Sequence, residues 1–204
     1  MIGFRIARAR AATDTSPSEA QKAAGNYAKG KVRLHGLTVT IENPKGSVRR
    51  GVDANGRAWE SRLACDYGYL NRTEGADGDH VDVFLGPHPE SEVVFIVDQV
   101  NSAGEFDEHK VVMGCRSEAE ARALYLANYS AGWKVGPVTA LTVEQFKRWL
   151  ADGNTTRPIE GRVQLVLKAR DIKNNPDNRL GVDRRGRAHW LHRPHPAPAW
   201  REDF

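Results

Sequence analysis

Three aspartates, Asp77, Asp79 and Asp82, fall within six positions at the mouth of the apolar run Val83-Phe84-Leu85. Carboxylates held within ~4–6 Å of one another repel and raise each other's pKa, and a divalent cation relieves that crowding. Oxygen-only ligands favour Mg2+ first, Mn2+ second and Ca2+ third. A calcium-binding EF-hand is excluded by spacing: counted from Asp77, position 5 is Val81, position 6 is Asp82 and position 12 is His88. The plain alternative is an acidic surface turn, because Asp-Gly is a common turn dipeptide. In an extended segment Asp77 and Asp79 share a face while Asp82 has the opposite parity, so a bend near His80 is required to turn all three toward one ion.

The residues around this cluster carry a resemblance. Asp77-Gly78-Asp79-His80-Val81-Asp82-Val83 is similar to the Asp-(small)-Asp-Pro-(aliphatic)-Asp-(aliphatic) signature of the soluble magnesium-dependent inorganic pyrophosphatases. Tyr67-Gly68-Tyr69-Leu70-Asn71-Arg72-Thr73 resembles a segment which that family carries ten residues ahead of its first aspartate. The wording from Gly75 to Val83, with Phe106-Asp107-Glu108-His109-Lys110 downstream, resembles more closely the pyrophosphatase-like domain of phage and mobile-element proteins. The resemblance spans about Asn26 to Pro158. It implies a small five-stranded antiparallel barrel, like the oligonucleotide/oligosaccharide-binding barrel, with helices packed against it.

The resemblance also implies an activity and a set of roles. The activity is Mg2+-dependent hydrolysis of pyrophosphate, or of a related small pyrophosphate compound, with Mn2+ as a substitute ion. Asp77, Asp79 and Asp82 would hold metal, and Asp79 would orient and deprotonate the attacking water beside Tyr67. Asp107 is the next metal ligand, with Glu108 as its alternative, and Lys110 would face a phosphate. Glu42 resembles a family glutamate near the metals. Arg49, Arg50 and Arg62 are candidate phosphate clamps, and only Arg62 precedes the tyrosine motif as the family arginine does. Tyr129 fits a family tyrosine on the leaving phosphate. Two departures stand out: Ser130 follows Tyr129 where lysine is expected, so that Lys134 would have to compensate, and His80 replaces the signature proline. Each lost charge-assisted contact to phosphate costs ~1.5–3 kcal/mol. The other functional class is therefore a weakly catalytic or non-catalytic module that binds metal and phosphate.

The elements that must position these residues read as α+β. The 204-residue chain, 40% hydrophobic and 27% charged, suits one domain with tails, of expected cytoplasmic location. Its longest apolar run, Val93 to Val97, is strand-sized and far short of a membrane span. Two cysteines, Cys65 and Cys115, make neither a disulfide framework nor a zinc site and read as core thiols. Residues 1–33 carry seven Lys/Arg against two acids and residues 167–204 nine against five, so basic ends flank an acidic middle. Flexible arms over 1–25 and 169–204 are expected around a domain of 26–168, with weak nucleic-acid contact as the function such arms would serve. Alternation over Leu37–Ile41 and the Asn55-Gly56 turn between Val48–Val52 and Arg57–Leu63 predict strands and a hairpin. Val93–Val97, Lys110–Met113 and a short Val163–Leu167 run complete the apolar segments of strand type. Ser117-Glu118-Ala119-Glu120 and Thr142-Val143-Glu144-Gln145 predict capping boxes that open two late helices.

Overall fold

A computed structural model describes residues 2–52, 56–152, 155–159, 180–182 and 188–190 of the chain. Met1–Glu160 forms one compact unit and Gly161–Phe204 a second. In the first, α1 (Ile2–Ala11) and α2 (Glu19–Ala23) precede β1 (Gly30–Leu34), β2 (Leu37–Asn43), β3 (Val48–Val52), β4 (Ala58–Arg62), β5 (Asp66–Leu70), β6 (Asp82–Leu85), β7 (Val93–Val100) and β8 (Phe106–Met113). Then come α3 (Glu118–Leu126), β9 (Val138–Thr142) and α4 (Val143–Ala151). In the second unit, β10 (Leu180–Val182) pairs antiparallel with β11 (Ala188–Trp190). The Val163–Leu167 run lies outside the described residues.

Seven strands form one sheet in the order β1-β2-β5-β6-β8-β7-β9, and β3 with β4 makes a separate two-stranded hairpin. The α+β class holds, and the sheet is mostly antiparallel. One pairing departs from the antiparallel expectation: β6 runs parallel to β8, with Asp82 opposite Lys110. Among the described residues no ladder joins β1 to β9, so no closed barrel is formed.

One face of the sheet carries an aromatic-rich core. Tyr67, Phe84, Phe95, Val97 and Val112 pack there with Ala121 and Tyr125 of α3. The opposite face of β7–β8 takes α4, where His109 meets the edge of Trp149 at 5.0 Å. Close strand approach explains the glycine between the two tyrosines of the motif. A Cβ at Gly68 would lie 1.9 Å from the Thr40 carbonyl oxygen, so any side chain there would push β5 off β2.

The helices begin where their caps say. Thr142 and Gln145 form the reciprocal capping box of α4, a feature whose loss costs about 1 kcal/mol. In α3 only half of the predicted box forms. Ser117 accepts from the Glu120 N–H, but the Glu120 carboxylate accepts from Arg116 N–H at 2.8 Å, one residue too early. Both cysteines are buried and unpaired. Burial raises their pKa, to about 11 for Cys65 and about 12 for Cys115, which suits inert core thiols.

The N-terminal segment differs from the expected arm over residues 2–13. Ile6 and Ala9 of α1 are buried, and the Ala9 backbone approaches β1 so closely that a Cβ on Gly30 would lie 1.8 Å from the Ala9 carbonyl oxygen. Arg10 donates twice to the buried Asp66 carboxylate, each bond 2.7 Å. Thr13 Oγ1 accepts from Gly30 N–H at 3.0 Å and lies 3.1 Å from the Ile41 carbonyl oxygen. The basic charge that suggested an arm is therefore largely spent on the protein itself: Arg5 donates to the Arg33 carbonyl, Lys22 pairs with Glu19 and Lys29 with Glu42. The tail over 169–204 lies mostly outside the described residues.

Candidate active site

Three neighbouring strands bring the first chemical group together. Asp82 opens β6, opposite Tyr69 of β5 on one side and Lys110 of β8 on the other. One Asp82 oxygen accepts from the Tyr67 hydroxyl at 2.5 Å and from the Lys110 ammonium. Lys110 pairs also with Glu108 Oε2 at 2.7 Å. Residues two apart on a strand share a face, so the Glu108–Lys110 pairing follows from the pleat. The Arg49 guanidinium of β3 lies over the Tyr67 ring, 4.4 Å from its centre.

A polar and aromatic shelf completes this side. Where the β7–β8 register shifts, Asp107 and Glu108 of β8 together face Gln99 of β7, whose amide nitrogen donates to Asp107 Oδ2 and Glu108 Oε1, each at 3.0 Å. Its amide oxygen accepts from Tyr125 and Tyr129, each at 2.9 Å. Trp133 stacks on Tyr129 with ring centres 4.5 Å apart.

Burial and charge tune these groups in consistent directions. Burial pushes the Tyr67 and Tyr129 hydroxyls well above the ordinary tyrosine value, so both remain donors. Burial disfavours the charge of Lys110, but Tyr67 and the carboxylates of Asp82 and Glu108 outweigh it, and its pKa lies well above the usual lysine value. Glu108 is raised by burial, against the pull of Lys110, and further by the like charges of Asp82 and Asp77.

The acidic loop closes on itself between β5 and β6. Gly75 N–H donates to the Asp79 carbonyl at 2.6 Å, and Asp77 Oδ1 accepts from Asp79 N–H at 3.0 Å. Gly78 takes φ +84°, a left-handed turn position that suits glycine. The chain bends at Gly78 and Asp79, just before His80, but this bend leaves the Asp77 and Asp79 side chains exposed and does not gather the three aspartates. His80, in place of proline, serves the turn: its Nδ1 lies 2.6 Å from the Thr73 carbonyl oxygen and its ring stacks on Tyr69.

The other sequence candidates are distributed around this centre. Glu42 pairs with Lys29 at 2.6 Å. It lines, with Arg49, Arg50 and Ser47, a cavity of about 420 Å³ beside the hairpin. Arg62 is exposed and donates to the Gly46 carbonyl at 2.7 Å, so Arg49 is the arginine seated on Tyr67. Arg50 pairs with Glu60, and Lys134 is exposed. Asp107 and Glu108 both accept from Gln99 Nε2, but of the two only Glu108 also pairs with Lys110. Gln99 and Trp133 were not foreseen. Gln99 follows the buried run of β7, and only the register shift reveals its direction.

Among the described residues no three acidic, histidine or cysteine side chains are already gathered as a metal cage. The donor chemistry nevertheless fits a hard divalent cation. Asp77, Asp82 and Glu108 present carboxylate oxygens, the like charges of Asp82 and Asp77 both reach Glu108, and Lys110 is the local counter-charge. We expect Asp77→Asn to leave the metal-free melting temperature unchanged or slightly raised. The amide oxygen keeps the bond from Asp79 N–H while one like charge is removed. Thermal melts in chelator test this, and a clear drop contradicts the crowding account.

A solved inorganic pyrophosphatase from Coxiella burnetii is 21% identical, with a TM-score of 0.33, over 58% of this chain and 91% of that one. Among curated proteins no significant match is found. The family model for Inorganic Pyrophosphatase matches residues 19–151, well over half of the chain and inclusive of every strand of the large sheet. Tyr67, Asp82, Glu108 and Lys110 all fall inside that match, and the chain belongs to the inorganic pyrophosphatase family.

Proposed function

We propose that the protein hydrolyses inorganic pyrophosphate, or a related small pyrophosphate compound, with Mg2+ and with Mn2+ as a substitute. The observation that carries this reading is the convergence of Tyr67, Asp82, Glu108 and Lys110 from adjacent strands within the family-matched segment. Asp77, Asp79, Asp82 and Glu108 would hold the cation, with Asp107 and Glu42 at the margins of the set. A bound divalent cation draws charge from the phosphoryl oxygens and makes water a stronger acid.

The chain's own residues supply the rest. Asp79 accepts a proton from water as that oxygen adds to one phosphorus. The bridging P–O bond breaks, and the second phosphate leaves with its charge facing Lys110 and Arg49. Tyr67 holds Asp82 by its donated hydrogen bond, and Tyr129 offers a hydroxyl to the leaving phosphate. Arg62 joins the clamp only through movement of the β3–β4 hairpin, so Arg49 carries that role. Gly75–Val83 and the Phe106–Lys110 wording support placing the chain beside the pyrophosphatase-like domain of phage and mobile-element proteins.

The engaged basic residues of the N-terminal segment support catalysis over a nucleic-acid-bound module. No helix among the described residues is long and apolar enough to cross a membrane. A phosphate-release assay with pyrophosphate, ATP and a nucleoside diphosphate-linked compound, with and without Mg2+, tests the reading. Metal-dependent release, fastest from pyrophosphate, is expected. Release from none of the three would leave a binding module as the function.

A further inference from the structure

Residues 155–159 follow the last residue of the family match and belong to no helix or strand, yet Thr155 and Ile159 are only 4% and 3% exposed. Each is held by a specific partner. The Thr155 hydroxyl donates to the Glu74 carbonyl, and Ile159 N–H donates to Asp98 Oδ2 at 3.0 Å. Between them the Arg157 carbonyl lies 3.0 Å from His109 Nε2.

The lower anchor is a buried polar pair. Asp98 and His109 stand opposite each other in the β7–β8 register, each 2% exposed. Asp98 Oδ1 and His109 Nδ1 lie 2.9 Å apart, a close contact without the alignment of a hydrogen bond. His109 has the opposite parity from Lys110, so this pair occupies the sheet face away from the candidate site and has no part in its chemistry. Burying two ionisable groups is costly unless their polar atoms are paired and hydrogen-bonded, and Asp98 Oδ2 and His109 Nε2 find those bonds in Ile159 N–H and the Arg157 carbonyl. What they hold is the 155–159 segment.

The upper anchor is the acidic loop. Glu74 directly precedes Gly75, whose N–H bonds to the Asp79 carbonyl, and Asp77 bonds to Asp79 N–H. Thr73 Oγ1 lies within hydrogen-bond distance of the Leu70 carbonyl and accepts from Val81 N–H. The loop is therefore a closed unit, and Thr155 ties it to a distant part of the chain.

We propose that residues 155–159 are a strap fixing the Asp77–Asp79 loop to the back of β7–β8, and that Thr155 and His109 thereby act as positioning residues for cation binding. This rests on the proposed role of Asp77 and Asp79 as cation ligands. The test compares Thr155→Val, Thr155→Ser and His109→Phe with the full-length wild type, using amide hydrogen exchange over residues 75–81 and Mg2+ titration calorimetry without substrate. Thr155→Val should speed loop exchange roughly tenfold and weaken Mg2+ binding about five- to tenfold. Thr155→Ser, which keeps the hydroxyl, should behave as wild type, and His109→Phe should shift both readouts in the same direction as valine. Wild-type loop exchange in Thr155→Val, or faster exchange with unchanged Mg2+ affinity, overturns the strap. A wild type that binds no Mg2+ instead sinks the cation reading beneath it, and a readout of binding alone separates the two failures.

Discussion

Asp82→Asn is expected to lower Mg2+-dependent phosphate release roughly 10²- to 10³-fold while the chain stays folded. Asp82 is the meeting point of the site: one carboxylate oxygen serves both Tyr67 and Lys110, and the residue begins the strand that runs parallel to β8. Asparagine keeps the volume and one acceptor oxygen but removes the charge offered to a cation. Initial rates at saturating pyrophosphate, with circular dichroism as the fold control, check this. Activity within about threefold of wild type would remove Asp82 from the chemistry.

Lys110→Met carries the second large effect, and it acts on stability as well as rate. The ammonium lies between Asp82 and Glu108 and its side chain is 7% exposed. Removing one partner of such a buried group strands the others, at about 3–5 kcal/mol. A divalent cation restores positive charge at the same carboxylates, so millimolar Mg2+ should return part of the lost stability. Urea unfolding with chelator and with Mg2+ measures both. Equal losses in the two buffers would contradict the view that Lys110 and the cation neutralise the same acids. The pH dependence has a defined sign. Glu108 has a raised folded pKa, so its protonation favours the fold below the ordinary value of 4.5, and that contribution is lost as pH rises through the folded value. The variant should therefore be least destabilised at mildly acidic pH.

The contacts among Tyr67, Asp82 and Lys110 join residues that the sequence singles out, while Asp77 and Asp79 stay outside those contacts. The three aspartates, the Tyr67-Gly68-Tyr69 segment and Lys110 are named by spacing and resemblance, and Thr142 with Gln145 opens α4 as the capping-box pattern requires. Other features depend on partners far along the chain. Arg10 and Asp66 are 56 residues apart, so an Arg-rich start reads as a solvated arm until its buried acceptor is seen. The parallel β6–β8 pairing brings Asp82 to Lys110 across 28 residues and leaves no mark in the periodicity of either strand. The choice between Asp107 and Glu108 depends on the bulge at which both face Gln99 and only Glu108 reaches Lys110, which is visible only once the register is known. The β9 strand was missed because Val138-Thr139-Ala140-Leu141 is short and adjoins a helix cap.

The most direct test of the central claim is phosphorus NMR of pyrophosphate incubated with the purified full-length protein in Mg2+. The account predicts that the pyrophosphate signal is replaced by orthophosphate alone, and that chelator stops the conversion. A folded protein that leaves the pyrophosphate signal unchanged in Mg2+ and in Mn2+ would contradict it.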